Sequence, residues 1–245
     1  MGLFGGKTKR DVKKELAEMS ANGIVGLILE AKRSKNPARI LLAKGIDARQ
    51  LEARGISIKT LENYPVKDLR QLGYTALDLR QLGYTAKDLR QAGYTALDLR
   101  QAGYPAKDLR HLGYSAEDLR QSGYPAKNLA QAGYPAKDLR QLGYSARELR
   151  DAGYSAKDLA QAGYSAKDLI EAGCPAKVLR QLGYPAIELL ECGYPARELR
   201  QAGYTAKDLA QAGCPAKLLR QLGYPARELL QAEFSQKDVN DTFSR

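Results

Sequence analysis

The chain has 245 residues, a formal net charge of +11, one histidine and three cysteines. An odd cysteine count without a CxxC pair argues against a disulfide framework or a zinc site, and a lone histidine in a Gln site leaves no Ser-His-Asp set. The positive balance is typical of chains that meet phosphate-rich or acidic partners, and a solvated outer face is the alternative explanation.

Residues 1–36 are predicted to hold a basic N-terminal segment and capping helices. The chain opens Met1-Gly2, so Gly2 is a candidate for myristoylation, although Gly6 stands where the signal usually has Ser or Thr. Five basic residues follow between Lys7 and Lys14, and a lipid plus a basic cluster would supply the two signals that stable anchoring needs. We therefore weigh membrane contact through the N-terminus against an unanchored start that leads into an ordinary helix.

Two apolar patterns lie within this segment. Residues 11–19 place three apolar side chains on one helical face, and Asn22-Gly23 is predicted to end that helix. Residues 24–31 form the most apolar stretch of the chain but are too few to span a membrane. We predict that they form an N-terminal cap that covers the first repeat.

Degenerate ten-residue units occupy residues 37–64. Ile46 and Ile56 stand where later repeats have Tyr, and the unit at residues 57–64 is two residues short. Asn63 takes the place of Gly there, which is the substitution that a left-handed helix end tolerates best. These units are therefore predicted to be irregular copies of the repeat that follows.

A ten-residue repeat runs through residues 65–232 without a shift. Gly recurs at every tenth residue from Gly73 to Gly223, and Leu does so from Leu69 to Leu229. A fixed period decides the fold class, and ten residues is shorter than the units of about 20 to 47 residues in the familiar solenoids. We predict an all-α solenoid, or superhelix, of about twenty short helices, each followed by a Gly-Tyr-Ser/Thr/Pro turn.

The repeat at residues 145–154 illustrates the local signals. Ser145 and Glu148 match a capping box, so a helix is predicted from Ala146 to Ala152. Gly153 then stands where a helix ends in a left-handed residue, with Tyr next to it. The same structural turn is predicted at Gly93 and Tyr94, at Gly143 and Tyr144, and at Gly183 and Tyr184.

The helical wheel separates buried from exposed positions. Ala146, Leu149 and Ala152 share one stripe, whereas Arg147 and Asp151 point the opposite way. Stability must come from stacking these stripes, because a two-turn helix is not stable alone.

Two longer spacings overlie the ten-residue period. The return of Cys-Pro-Ala-Lys, from Cys174 to Cys214, indicates either four helices per superhelical turn or a recent segmental duplication. An Arg site becomes apolar at intervals of twenty residues, which favours a two-layer solenoid with different environments for alternate helices: Ile170, Leu190, Ala210 and Leu230.

The last residues, 233–245, depart from the repeat. Glu233-Phe234-Ser235 replaces the usual Gly-Tyr pair, and the unit that follows is polar. We predict a C-terminal cap that faces water.

No unique catalytic constellation is visible in the sequence. His111 replaces an outward Gln, and each repeat Gly is single and closes a helix instead of forming a phosphate-binding loop. Cys174, Cys192 and Cys214 are predicted to be small buried residues in a reducing, intracellular compartment, either cytoplasmic or peripheral to a membrane. We therefore predict a protein that is not an enzyme and has no catalytic residue, cofactor or metal.

The remaining prediction is a structural or adaptor solenoid that binds protein partners, within a larger assembly, through the outward side of its repeats. Non-specific binding of a nucleic-acid phosphate backbone is the alternative. The candidate binding surface consists of outward cations at one site of the repeat: Lys87, Lys107, Lys127, Lys137, Arg147, Lys157, Lys167, Lys177, Arg197, Lys207, Lys217 and Arg227.

Overall fold

The computed structural model describes residues 14 and 16–242, and in that part of the chain short helices follow one another about every ten residues without any β-strand. The prediction of an all-α solenoid of short helices is therefore confirmed. A 3-10 helix spans Ile58–Leu61. The α-helices span Ala21–Ala31, Pro37–Ala43, Ala48–Glu52, Val66–Gln71, Ala76–Gln81, Ala86–Gln91, Ala96–Gln101, Ala106–His111, Ala116–Gln121, Ala126–Gln131, Ala136–Gln141, Ala146–Asp151, Ala156–Gln161, Ala166–Glu171, Ala176–Gln181, Ala186–Glu191, Ala196–Gln201, Ala206–Gln211, Ala216–Gln221, Ala226–Gln231 and Gln236–Asp241.

Each regular helix begins after either a Ser or Thr whose side chain caps it or a Pro. The Ser145 side chain accepts a hydrogen bond from the Glu148 backbone N–H at 3.2 Å, and the Glu148 carboxylate accepts one from the Ser145 N–H at 2.8 Å. This reciprocal capping box satisfies two donors that a helix start would otherwise leave unpaired. Repeats with Pro at the cap site, such as Pro175, have no side-chain cap but hold the chain extended before the helix, with φ of −65°.

Each regular helix ends in a left-handed turn. Gly153 has φ of +106°, its N–H donates to the Arg150 carbonyl at 2.9 Å, and the Tyr154 N–H donates to the Leu149 carbonyl at 3.0 Å. These two bonds define a Schellman motif, which satisfies carbonyls at the helix end. Ala152 is the C-cap, so the helix is one residue shorter than the sequence predicted.

Helices two repeats apart pack against each other within each unit of the chain. Ala76–Gln81 contacts Ala96–Gln101, and Ala146–Asp151 contacts Ala166–Glu171. The main repeat of tertiary contacts is thus twenty residues, in agreement with the two-layer interpretation. We call a stack of such alternate helices a column, and successive helices therefore belong to two different columns.

Core packing rests on one Leu per repeat. Leu149 and its counterparts, such as Leu79 and Leu209, have no exposed surface. A six-residue helix is about 9 Å long and is not stable alone, so this burial against neighbouring helices is what maintains it.

The chain divides into two compact units, Met1–Tyr124 and Pro125–Arg245. In the first unit, Ala21–Ala31 packs on Pro37–Ala43 and buries Ile24 and Ile28. The helix Pro37–Ala43 in turn contacts Val66–Gln71, so the apolar stretch packs against the first of these helices, and its role as an N-terminal cap stays a prediction.

The N-terminal helix boundary differs from the prediction. Residues 14 and 16–18 are helical, but the break falls at Met19 and Ser20, and Asn22-Gly23 lies inside the next helix. The Ser20 hydroxyl accepts a hydrogen bond from the Gly23 N–H at 3.2 Å. A side-chain acceptor at the N-cap therefore prevailed over the helix-ending tendency of Asn-Gly.

Two residues other than Gly adopt the left-handed turn. Asn63 has φ of +70°, as its place in the pattern predicted, and Glu233 has φ of +69°. The sequence break at Glu233 therefore does not interrupt the turn, because the Glu233 and Phe234 N–H groups still donate to the Leu230 and Leu229 carbonyls. Ser235 and Asp238 then form a capping box on the last helix. Val239 of that helix is buried, so an apolar side chain packs the last helix, Gln236–Asp241, against the repeats before it.

Candidate interaction surface

Tyrosine hydroxyls join the helices of one column. Tyr94 donates to the carbonyl of Tyr74 at 2.5 Å, and Tyr204 donates to that of Tyr184 at the same distance. In the regular repeats the acceptor lies twenty residues earlier, whereas Tyr64 before them donates to the Ile28 carbonyl, 36 residues earlier. Tyr104, Tyr124, Tyr154, Tyr164, Tyr184, Tyr194 and Tyr224 make the equivalent bond.

The Arg that ends most helices also reaches forward along its column. Arg140 donates to the Ala162 carbonyl at 3.1 Å, and its guanidinium carbon lies 5.5 Å from the ring centre of Tyr164. The cation thus meets the negative end of a later helix and the face of an aromatic ring, two favourable positions for positive charge. Arg70, Arg80, Arg90, Arg180 and Arg200 lie over the ring 24 residues later at 4.7 to 5.8 Å.

In repeats with Ser or Thr at the cap site, the acidic side chain accepts hydrogen bonds at the helix start. The Asp158 carboxylate accepts hydrogen bonds from the Ser155 hydroxyl at 2.5 Å and from its backbone N–H at 2.9 Å. These bonds favour the ionised form and hold the pKa of Asp158 below its usual value. Asp88 and Asp118 have lowered pKa values for the same reason.

The twelve predicted outward cations, from Lys87 to Arg227, are all exposed. Two of them form ion pairs: Lys167 lies 4.0 Å from Glu171, and Lys207 lies 3.5 Å from Glu233. Both pairs are solvent-exposed and so contribute little to stability. Among the residues that the structure describes, the other ten have no ion pair, so this site of the repeat is where positive charge remains for a partner.

In three repeats, a large apolar residue stands in place of that outward cation. The repeat pattern did not predict a role for these residues. Leu77, Leu97 and Ile187 are 46%, 44% and 46% exposed. Leu77 lines a groove of about 440 Å³ with Arg70 and Asp98, and Ile187 lines the matching groove of about 320 Å³. The same side-chain types line both grooves because both sit at the same register of the repeat.

The three cysteines and the single histidine occupy regular sites of the repeat. Cys174 and Cys214 are buried at Tyr sites, whereas Cys192 is only half-buried, contrary to the prediction. Its site is the C-cap of a helix, where the side chain is only partly covered. His111 is exposed, and no group of three His, Cys, Asp or Glu side chains suited to a metal ion occurs within residues 14 and 16–242.

A family model described as a decapeptide repeat region matches residues 63–136, 103–176 and 173–242, which together cover most of the chain. The chain belongs to the decapeptide repeat family. All twelve outward cations lie inside the matched decapeptide repeats, and the degenerate units before residue 63 lie outside them. No curated protein and no solved structure matches the chain.

The membrane prediction concerns residues before the decapeptide repeats. Gly2 and the basic residues up to Lys13 lie outside the described part of the chain, so N-terminal acylation stays a prediction. No helix among the described residues is long and apolar enough to cross a membrane.

Proposed function

We propose that this chain is a non-enzymatic scaffold or adaptor that binds protein partners along the exposed face of its repeats. The observation that supports this is how each repeat uses its polar side chains. Ser or Thr and an acidic residue cap the helix in the repeats that lack Pro at the cap site, Tyr and Arg tie helices to those two repeats away, and the outward Lys or Arg remains exposed. The side chain left to a partner is thus repeated at one register.

Repetition also favours binding over catalysis. A catalytic centre needs a singular arrangement of groups, whereas near-identical repeats offer the same groups many times. Many weak contacts to linked sites sum to a useful affinity. A partner with its own repeated or extended acidic surface would benefit most from such an arrangement.

The test combines partner capture with a shortened chain. Deleting residues 174–213 removes four repeats and joins Gly173 to Cys214, a junction that keeps the register. We expect far-ultraviolet circular dichroism and small-angle scattering to show a smaller, folded particle, and the affinity for a captured partner to fall. An unfolded product would contradict the modular design, and unchanged affinity would contradict binding along many repeats.

A second candidate function is non-specific nucleic-acid binding, favoured by the exposed cations and the net charge of +11. Retention on immobilised heparin or DNA, measured at increasing salt, distinguishes the two. A steep loss of retention with salt supports backbone binding, since counterion release dominates that interaction. Weak retention on heparin or DNA, together with efficient capture of a protein partner, favours the scaffold.

A further inference from the structure

In the Pro125–Arg245 unit, the last four helices of one column differ in charge from the last four of the other. The positive column consists of Ala176–Gln181, Ala196–Gln201, Ala216–Gln221 and Gln236–Asp241. These helices carry seven cationic side chains and three carboxylates, a net charge of +4. The acidic column consists of Ala166–Glu171, Ala186–Glu191, Ala206–Gln211 and Ala226–Gln231, with three cationic side chains and six carboxylates, a net charge of −3.

The difference in charge between the columns arises at two sites of the repeat, the acidic site and the Arg site. In the positive column, the acidic site is lost at Val178 and Leu218. In the acidic column, the Arg site is apolar in all four helices, at Ile170, Leu190, Ala210 and Leu230. Each column therefore loses the charge that would have neutralised it.

Contacts show that each set of helices forms a stack. Ala176–Gln181 packs on Ala196–Gln201, and Ala216–Gln221 packs on Gln236–Asp241. The guanidinium of Arg200 lies 5.2 Å from the ring centre of Tyr224, which joins the second of these helices to the third. The helices of the acidic column likewise contact one another in order.

Three cations of the candidate binding surface lie in the positive column and are available to a partner, and Lys237 of its last helix is exposed as well. Lys177, Arg197 and Lys217 are exposed and form no ion pair among the described residues, whereas Arg180 and Arg200 lie over tyrosine rings. In the acidic column, the equivalent site holds Ile187 and the exposed Arg227. Its other two residues, Lys167 and Lys207, already lie beside carboxylates.

We propose that the positive column binds an extended acidic segment of a protein partner, with one carboxylate of the segment facing each helix. This inference rests on the scaffold function proposed above and assigns it a surface and a partner class. Packed helices lie about 8–10 Å apart. A polyproline II segment advances about 9.3 Å in three residues, so an acidic residue at every third position would meet one helix after another.

The width of the column favours a single chain over a nucleic-acid duplex. Each six-residue helix is about 9 Å long, and the acidic column begins beside it in the sequence. The major groove of a duplex alone is about 12 Å wide, so a duplex would also meet the carboxylates of the acidic column. Like charges placed together in this way oppose binding.

The chain offers a matched pair of variants for the test. One carries Lys177→Glu, Arg197→Glu and Lys217→Glu in the positive column. The control carries the same three charge reversals at the same register in the acidic column: Lys167→Glu, Lys207→Glu and Arg227→Glu. All six sites are exposed in the first turn of a helix, where a carboxylate suits the helix dipole, so both variants should fold and circular dichroism checks this.

The probe is a labelled peptide with Glu at every third position in a proline background, and fluorescence anisotropy measures its binding to the full chain. We expect the positive-column variant to bind about tenfold more weakly, since it loses three ion pairs, and the control, whose cations belong to the candidate binding surface but lie outside the positive column, to lose much less affinity. Equal loss in both variants, or no loss in either, would overturn the proposal. A peptide of the same composition with clustered Glu should bind more weakly than the regular one, and equal affinity would overturn the one-to-one register.

Two further outcomes separate this inference from the scaffold function. If duplex DNA binds and the peptide does not, the positive column is a nucleic-acid surface and the proposal is wrong. If the peptide does not bind but the deletion of residues 174–213 still weakens capture of a protein partner, the scaffold function stands and this surface assignment fails.

Discussion

The degenerate units at residues 37–64 and the regular repeats after them share their burial and their turn hydrogen bonds, but not the tyrosine bond to a carbonyl twenty residues earlier. The one tyrosine of the degenerate units, Tyr64, donates instead to the Ile28 carbonyl at 2.7 Å. Leu41 and Leu51 are as fully buried as Leu149. Ile46 and Ile56, however, have no hydroxyl, and the Tyr74 hydroxyl, which would need a carbonyl twenty residues earlier, is buried without a hydrogen-bond partner. Burial of one Leu therefore suffices to place a helix, whereas the tyrosine ladder requires the full ten-residue spacing, which the short unit at residues 57–64 interrupts.

Alkaline pH should have the largest effect, and the two regions should share it, because burial also raises the pKa of Tyr64 in the degenerate units to about 12. Burial raises the pKa of Tyr94, Tyr124 and Tyr224 to about 12. Because the folded pKa lies above the unfolded value of about 10, these groups stabilise the fold below pH 10 and lose that contribution as the pH rises toward 12. We expect tyrosinate absorbance and loss of helical circular dichroism to appear together in this range. Ionisation near pH 10 with intact helices would contradict the burial of these side chains.

Removal of a buried Leu should have the next largest effect and should not distinguish the regions. Leu149→Ala and Leu51→Ala are each expected to lower the free energy of unfolding by about 2–5 kcal/mol, through lost burial and the remaining cavity. Chemical denaturation of the two variants measures this. A much smaller cost at Leu51 would show that the degenerate units are loosely packed and would sharpen the difference between the regions.

The turn glycines should show an intermediate effect. Gly143→Ala is expected to cost roughly 1 kcal/mol because φ of +86° strains an L-residue while the added Cβ meets no neighbouring atom. Gly163→Ala should cost more, since its Cβ would lie 2.8 Å from Nη1 of Arg140 and would displace that guanidinium from its carbonyl. Thermal unfolding compares the two variants, and a neutral Gly143→Ala would refute the left-handed turn.

The smallest effect concerns single hydroxyls and tests the comparison directly. Tyr94→Phe removes a hydrogen bond to the Tyr74 carbonyl and should cost about 0.5–1.5 kcal/mol. Tyr74→Phe removes a buried hydroxyl that has no partner, so it should be neutral or stabilising. Urea denaturation midpoints measure both. Equal costs would show that Tyr74 does have a partner in solution.

The local structure could be predicted from the sequence because its signals lie within one repeat. Ser145, Glu148 and Gly153 fix both helix ends through bonds that span no more than five residues. The helical wheel likewise predicted the exposure of sites such as Lys177. The error at Asn22-Gly23 arose where two local signals competed and Ser20 prevailed.

The longer contacts could not be predicted because they depend on how helices stack. Arg140 and Tyr164 are adjacent only once alternate helices pack, and the sequence indicated merely that the Arg site varies at intervals of twenty residues. The charge of each column has the same origin. Val178 and Ile170 appear as unrelated substitutions until the structure assigns them to different columns.

Because alternate helices pack together, the position of a helix in the chain, odd or even, decides which column it joins. Gain or loss of one decapeptide would move every later helix into the opposite column, so Lys217 would join helices that now stack with Ile187. Two decapeptides gained or lost together leave each helix in its column. From Ile170 to Leu230 the apolar Arg sites recur after twenty residues, and Cys174 and Cys214 lie forty residues apart, both even numbers of repeats, whereas the earlier apolar sites Ala130 and Ala160 are three repeats apart. Even steps are thus the only changes of length that keep the charge pattern of the columns.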